Sequence, residues 1–83
     1  MRAKRTDRNH REIMRTLRQL GWSVIDLSGV GKGCPDLIAR RGSDVRLVEV
    51  KTEKGRLTPA QVALADSGWT IRIVRTTDDC LKL

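Results

Sequence analysis

Apolar residues recur at helical spacing early in the chain: Ile13, Met14, Leu17 and Leu20 form one stripe, while Arg8, Arg11, Arg15 and Arg18 fall largely on other faces. The pattern predicts a helix capped by Thr6 or Asp7 and ended by Gly21 in the left-handed position. Residues 22–27 read as a strand, with Trp22, Val24, Ile25 and Leu27 available to a core. A glycine-rich loop, 28–34, follows. Two apolar runs, Leu37-Ile38-Ala39 and 45–50, are then separated by Gly42-Ser43, which reads as a β-hairpin with a tight turn of the II′ type. Beyond a basic turn at 52–56, Thr58-Pro59-Ala60-Gln61 has the form of a capping box with Pro at the first helical position, opening a helix to about Ser67. Gly68-Trp69 repeats the Gly21-Trp22 junction and leads into a strand over 70–74, and Thr77 can start a short last helix reaching Leu83. The resulting order is α-β-β-β-α-β in one small domain over residues 1–83, with 1–5 as a basic tail. Apolar residues on both faces of the second and third strands predict an α/β mixed sheet flanked by helices.

The turn at Gly42-Ser43 sets the hairpin register, placing Asp36 opposite Glu49. Strand alternation puts Lys51 on the same face, one step along. Two facing carboxylates on a sheet of Val, Leu and Ile repel one another and lose solvation. A divalent cation relieves both penalties, and Mg²⁺ is commonly held by one or two carboxylates while retaining waters. An amine beside such an ion can position or deprotonate a water and offset charge at a phosphate. The set points to metal-assisted phosphodiester hydrolysis. Taken singly, Asp36 could be turn chemistry after Pro35, and Glu49 with Lys51 an exposed strand end carrying a weak salt bridge.

Pro35-Asp36 followed by Glu49-Val50-Lys51 resembles the PD-(D/E)XK nuclease signature, and the flanking Gly-Lys-Gly-Cys and Leu-Thr-Pro-Ala-Gln segments look most like the small VRR-NUC type related to Holliday junction resolvases. The resemblance covers nearly the whole chain and implies a restriction-endonuclease-like core. It implies further that Asp36, Glu49 and the Val50 carbonyl hold Mg²⁺ or Mn²⁺, with Lys51 beside the attacking water. Many relatives carry a Glu about three turns before the glycine that ends the first helix; here that position is His10, a candidate ligand, with Glu12 as the alternative acid. Gln61 is accounted for by capping, and the resemblance implies that a polar residue at this helix start also reaches the site. A homodimer acting on both strands of a branched DNA, in a phage or prophage replication-repair setting, completes what the resemblance implies.

The charge balance changes the picture of partners. A formal net charge of +7 in 83 residues, with a pI of about 10.5, points to a polyanion, most simply nucleic acid. Lys32 and Gly33 in the glycine-rich loop, with Arg40, Arg56 and Gln61, are the candidates for contact with it. The loop lacks the spacing of a Walker phosphate-binding loop. With no Phe or Tyr and two Trp, a base-stacking platform is disfavoured. Cys34 and Cys80 are far apart, which argues against a disulfide scaffold or a zinc knuckle. No stretch reaches the ~20 apolar residues of a membrane span, so a cytoplasmic protein is expected. A non-catalytic DNA-binding module on a nuclease fold, and a basic adaptor for a protein partner, are the competing readings.

Overall fold

The structure is a computed structural model that describes residues 5–83, with side chains described from Arg8 onward. The basic tail thus lies almost wholly outside the described residues, as do the side chains of Thr6 and Asp7. Helix α1 spans Arg5–Gln19, beginning ahead of both expected caps. Its end is built as expected. Gly21 has φ +94°, its N–H donates to Arg18 O, and Trp22 N–H reaches back to Leu17 O. That double bond pattern closes the helix with Trp22 and Leu17 both buried, the apolar contact that usually accompanies it.

Four strands follow in a single sheet: β1 (Ser23–Asp26), β2 (Leu37–Arg41), β3 (Asp44–Val50) and β4 (Ile71–Val74), in that spatial order. The β1–β2 and β2–β3 pairs are antiparallel. The β3–β4 pair is parallel, so the chain must cross over, and helix α2 (Pro59–Asp66) lies in that crossover. The hairpin turns at Gly42-Ser43 as expected, with Gly42 at φ +64° and Arg41 facing Asp44. Leu37 faces Val48, the expected register, and Asp36 sits one residue ahead of β2.

The final element is a short 3₁₀ helix over Thr77–Lys82 rather than an α-helix, and its cap is Thr76, one residue before the expected start at Thr77. The cap is a capping box: Thr76 Oγ1 accepts from Asp79 N–H while the Asp79 carboxylate accepts from the N–H groups of Thr76 and Arg75.

One face of the sheet is closed. Ile13 and Leu17 of α1 meet Leu37, Ala39, Val48 and Val74, with Trp22 and Cys80 at the margins. Trp22 is flanked by two guanidinium groups, Arg41 at 4.4 Å and Arg46 at 5.8 Å from the ring centroid. The other face is flanked by α2, as expected of a sheet between helices, but only in part. Helix α2 docks mainly through its first turn, leaving an apolar groove of about 720 Å³ between Leu27, Val30, Ile38 and Leu47 on one side and Leu64 and Trp69 on the other. Val45 stays 56% exposed and Ile73 38%. A helix of eight residues is too short to cover four strands. No helix among the described residues is long and apolar enough to cross a membrane.

The docking of α2 depends on Gly33. This residue has φ +82°, and a Cβ built there would lie 2.9 Å from Ala60 Cβ and 3.1 Å from the Ala60 backbone carbon. Gly33→Ala is therefore expected to cost about 1–3 kcal/mol through overpacking and a left-handed strain together. Gly42→Ala has a similar φ but nothing within 4 Å, so it should cost only the strain, about 1–2 kcal/mol. Urea unfolding of the two variants checks the order; equal losses would show that the Ala60 contact is slack.

Candidate active site

At the open end of the hairpin, Asp36, Glu49, Val50 and Lys51 line one cleft of about 390 Å³, joined by Gln61 from α2, His10 and Arg11 from α1, and Ser28. Asp36 is held by both of its neighbours in the sheet. Its carbonyl accepts from Leu27 N–H at 2.7 Å, and its carboxylate Oδ2 accepts from Val50 N–H at 2.9 Å. The second bond ties Asp36 across to the third strand where the ladder has ended, and keeps it beside Glu49 as the register predicts.

Glu49 is only 2% exposed, an uncommon burial for a carboxyl group. Its cover is Gln61. That side chain closes the capping box, its Oε1 accepting from Thr58 N–H at 2.9 Å, while its Nε2 donates to Glu49 Oε2 at 2.9 Å. Capping and contact with the site are thus one arrangement: the amide has two ends and uses both. Burial is the main cause that pushes the Glu49 carboxyl up from its ordinary 4.5 to about 8. The adjacent Asp36 adds to this, by a hydrogen bond that favours protonated Glu49 and by like charge. Lys51 and the Gln61 amide act in the opposite direction and are outweighed.

Asn9 and Arg75 brace the strand end from the other side. Asn9 Nδ2 donates to the carbonyls of Lys51 at 3.1 Å and Arg75 at 3.3 Å. The Arg75 guanidinium donates to Thr52 O at 2.8 Å and also to Gly55 O. Lys51 N–H itself donates to Val74 O. The backbone of Lys51 is therefore pinned between α1 and the end of β4. No sequence signal marked Asn9 or Arg75, because each acts over twenty or more positions of chain.

His10 reaches the cleft, but its Nε2 lies 3.2 Å from Asp26 Oδ1 rather than on Asp36 or Glu49. Asp26 also accepts from Ser28 Oγ at 2.6 Å and Ser28 N–H at 2.9 Å, and these bonds, with His10 in support, hold its carboxyl below the usual range. Glu12 is exposed and does not line the cleft. Lys32 and Gly33 line the apolar groove against α2, not the cleft; Gly33 is occupied by close packing on Ala60. Arg40 is exposed beyond the hairpin's core residues and donates to Gly42 O, and Arg56 is exposed after the 52–55 turn. Of the expected nucleic-acid contacts, only Gln61 lies in the cleft. Ser28 and Arg11 are cleft residues that the sequence did not single out for it. Among the described residues, no cluster of three or more His, Cys, Asp or Glu side chains is arranged around a common point. The donor set at hand is two carboxyl groups and backbone carbonyl oxygen.

Residues 3–67 match the VRR-NUC domain family. A solved structure described as a VRR_NUC domain superposes with a TM-score of 0.77 at 26% identity, covering 98% of this chain and 95% of that one. No curated protein matches the sequence.

The buried carboxyl makes a pH prediction for the protein stripped of divalent ions. Between about 4.5 and about 8, folded Glu49 retains a proton that the unfolded chain has released. The folded state then binds more protons than the unfolded one, so this group lowers stability as pH rises through that window and levels off above it. Glu49→Gln, an amide with no titration, should remove that component of the decline. Urea unfolding in EDTA at a series of pH values tests it; an identical pH dependence in both proteins contradicts the assigned burial.

Proposed function

The chain belongs to the VRR-NUC domain family, and from that premise we propose that it is a metal-dependent endonuclease that hydrolyses DNA phosphodiester bonds, with branched DNA as its preferred substrate. The fold is of nuclease type. The observation that carries the activity is the buried Glu49 carboxyl beside Asp36, with Lys51 in the same cleft.

The donor set fits a hard divalent ion. Two carboxyl groups in contact, one of them pushed up to about 8 by burial and by its neighbour, are a pair that Mg²⁺ or Mn²⁺ stabilises. Asp36, Glu49 and the Val50 carbonyl are the residues that would hold it. When bound, such an ion supplies electrostatic stabilisation of charge on a phosphoryl group and acidifies water. Gln61 orients Glu49 by its hydrogen bond, so that the carboxyl has one defined placement. Asp36 is oriented in the same way by Val50 N–H. Lys51 places its ammonium group next to the attacking water, with its backbone braced by Asn9 and Val74. His10 is a weaker candidate for the ion than the sequence suggested, since its Nε2 faces Asp26.

The same reading includes a homodimer. One hairpin supplies one cleft, whereas cutting both strands of a branched DNA calls for two at fixed spacing. The open face of the sheet, with Ile25, Val45, Trp69 and Ile73 exposed around the apolar groove, favours a second copy as its cover. A cytoplasmic setting agrees with the free thiols of Cys34 and Cys80.

Incubation with branched and linear DNAs, with and without Mg²⁺, tests the activity. Cleavage of junctions only in the presence of the ion is the expected result; binding that ignores the ion and yields no product would mark a non-catalytic DNA-binding module instead. Lys51→Ala should leave folding and DNA affinity nearly intact and abolish cleavage, and full activity in it would remove the assigned role. Calorimetric titration of Glu49→Gln with Mg²⁺ should show weakened binding. For the dimer, light scattering at micromolar concentration should return twice the chain mass and Val45→Glu a single chain. A monomeric wild type that still cuts both strands would end that part of the proposal.

A further inference from the structure

Four of the five arginines of α1 lie on one side of the helix. At 100° per residue, Arg8, Arg11, Arg15 and Arg18 fall within an arc of about 80°. All four are exposed. Among the described residues the ion pairs are His10 with Asp26 and Lys82 with Asp79, so none of these arginines is matched by a carboxylate there. Glu12, spaced to reach Arg8 or Arg15, pairs with neither. Arg18 makes one long contact, 3.5 Å to Val24 O.

The ridge is continuous with the cleft. Arg11 lines the cleft together with Asp36, Glu49 and Lys51, and it also lines the adjoining groove formed with Met14, Arg15 and Arg18. A polyanion whose scissile phosphate sat in the cleft would meet Arg11 first and the other three next. The glycine-rich loop offers no equivalent path, because Lys32 opens onto the apolar groove and Gly33 is packed on Ala60.

We propose that the α1 arginine ridge is the duplex-binding surface of this protein, holding the phosphate backbone of the arm that leaves the cleft. The proposal rests on the nuclease reading for the place of the scissile bond. From Arg8 to Arg18 the helix rises about 15 Å. That length matches four or five nucleotide steps at about 3.4 Å each along one strand. Guanidinium groups suit such a track, since each can engage a phosphate with two parallel N–H bonds. An acidic peptide or an anionic membrane would also answer to positive charge, but neither accounts for a ridge that begins inside the cleft.

The test is duplex affinity against salt, measured by fluorescence anisotropy in EDTA so that no cleavage occurs. Arg15→Ala/Arg18→Ala should reduce the slope of log K against log salt by about 2, near 0.9 for each phosphate released. Between about 50 and 200 mM salt, the wild type should then lose about tenfold more affinity than the double variant. Arg15→Ala alone should give half the change in slope, and Arg15→Lys/Arg18→Lys should keep most of it. Arg72→Ala/Lys82→Ala removes the same charge from a groove that shares no residue with the ridge or the cleft and should leave the slope nearly unchanged. A ridge variant with the wild-type slope overturns the proposal, as does a control that changes it equally. Cleavage of the same DNA by the wild type with Mg²⁺ is scored apart. A ridge-dependent slope without cleavage removes the nuclease reading, and cleavage with a ridge-independent slope removes the ridge.

Discussion

The hydrogen bond from Gln61 to Glu49 joins the two parts of the chain that make the site, and most of the local structure is arranged to allow it. Glu49 lies near the end of β3, and Gln61 lies in the first turn of α2, with the 51–58 connection between them. For the amide to reach the carboxyl, α2 must start close to the sheet, and the close approach of Gly33 to Ala60 permits this. Thr58 and Pro59 set the start of the helix at the one register that points Gln61 inward. The result is a carboxyl group with almost no solvent and one hydrogen-bond donor, beside a second carboxyl. Burial of this kind raises the free energy of the charged form, which is why the group resists ionisation.

The two faces of the sheet are used differently. The face under α1 is a closed core of aliphatic side chains, and the helix that covers it carries four arginines on its outer side. The face under α2 is only partly covered, since that helix is engaged at its first turn and is short. The closed core therefore resides with α1, while α2 lines the cleft and leaves apolar surface over. The cleft sits at the edge shared by both, where α1 contributes His10 and Arg11 and α2 contributes Gln61. The bracing of Lys51 by Asn9 and Val74, and of Thr52 by Arg75, adds a further tie from α1 and the end of β4 to the same strand end.

Local rules were enough for every element whose signal lies within a few residues. The end of α1 followed from Gly21, the hairpin register from Gly42-Ser43, and the start of α2 from Thr58, Pro59 and Gln61, because turn and cap geometry is decided by neighbours in the chain. The pairing of Asp36 with Glu49 was legible for the same reason: register converts one turn position into a contact thirteen residues apart. The last helix starts at Thr77 as its local sequence indicates, and the Asp79 carboxylate fixes Thr76 as its cap.

What the sequence could not determine was anything that depends on which distant segments share a space. Glycines around Lys32 read as a phosphate cradle, yet Gly33 is needed because α2 arrives against it. His10 read as a ligand by its helical position, yet its nitrogen faces Asp26 of β1, a neighbour that only the folding of α1 onto the sheet brings near. The burial of Glu49, and with it the raised carboxyl, required a helix to cover one strand end and leave the rest of that face bare. Periodicity reports which residues prefer to be buried; it carries no measure of how much of a sheet an eight-residue helix can hide, and that limit was set by tertiary packing alone.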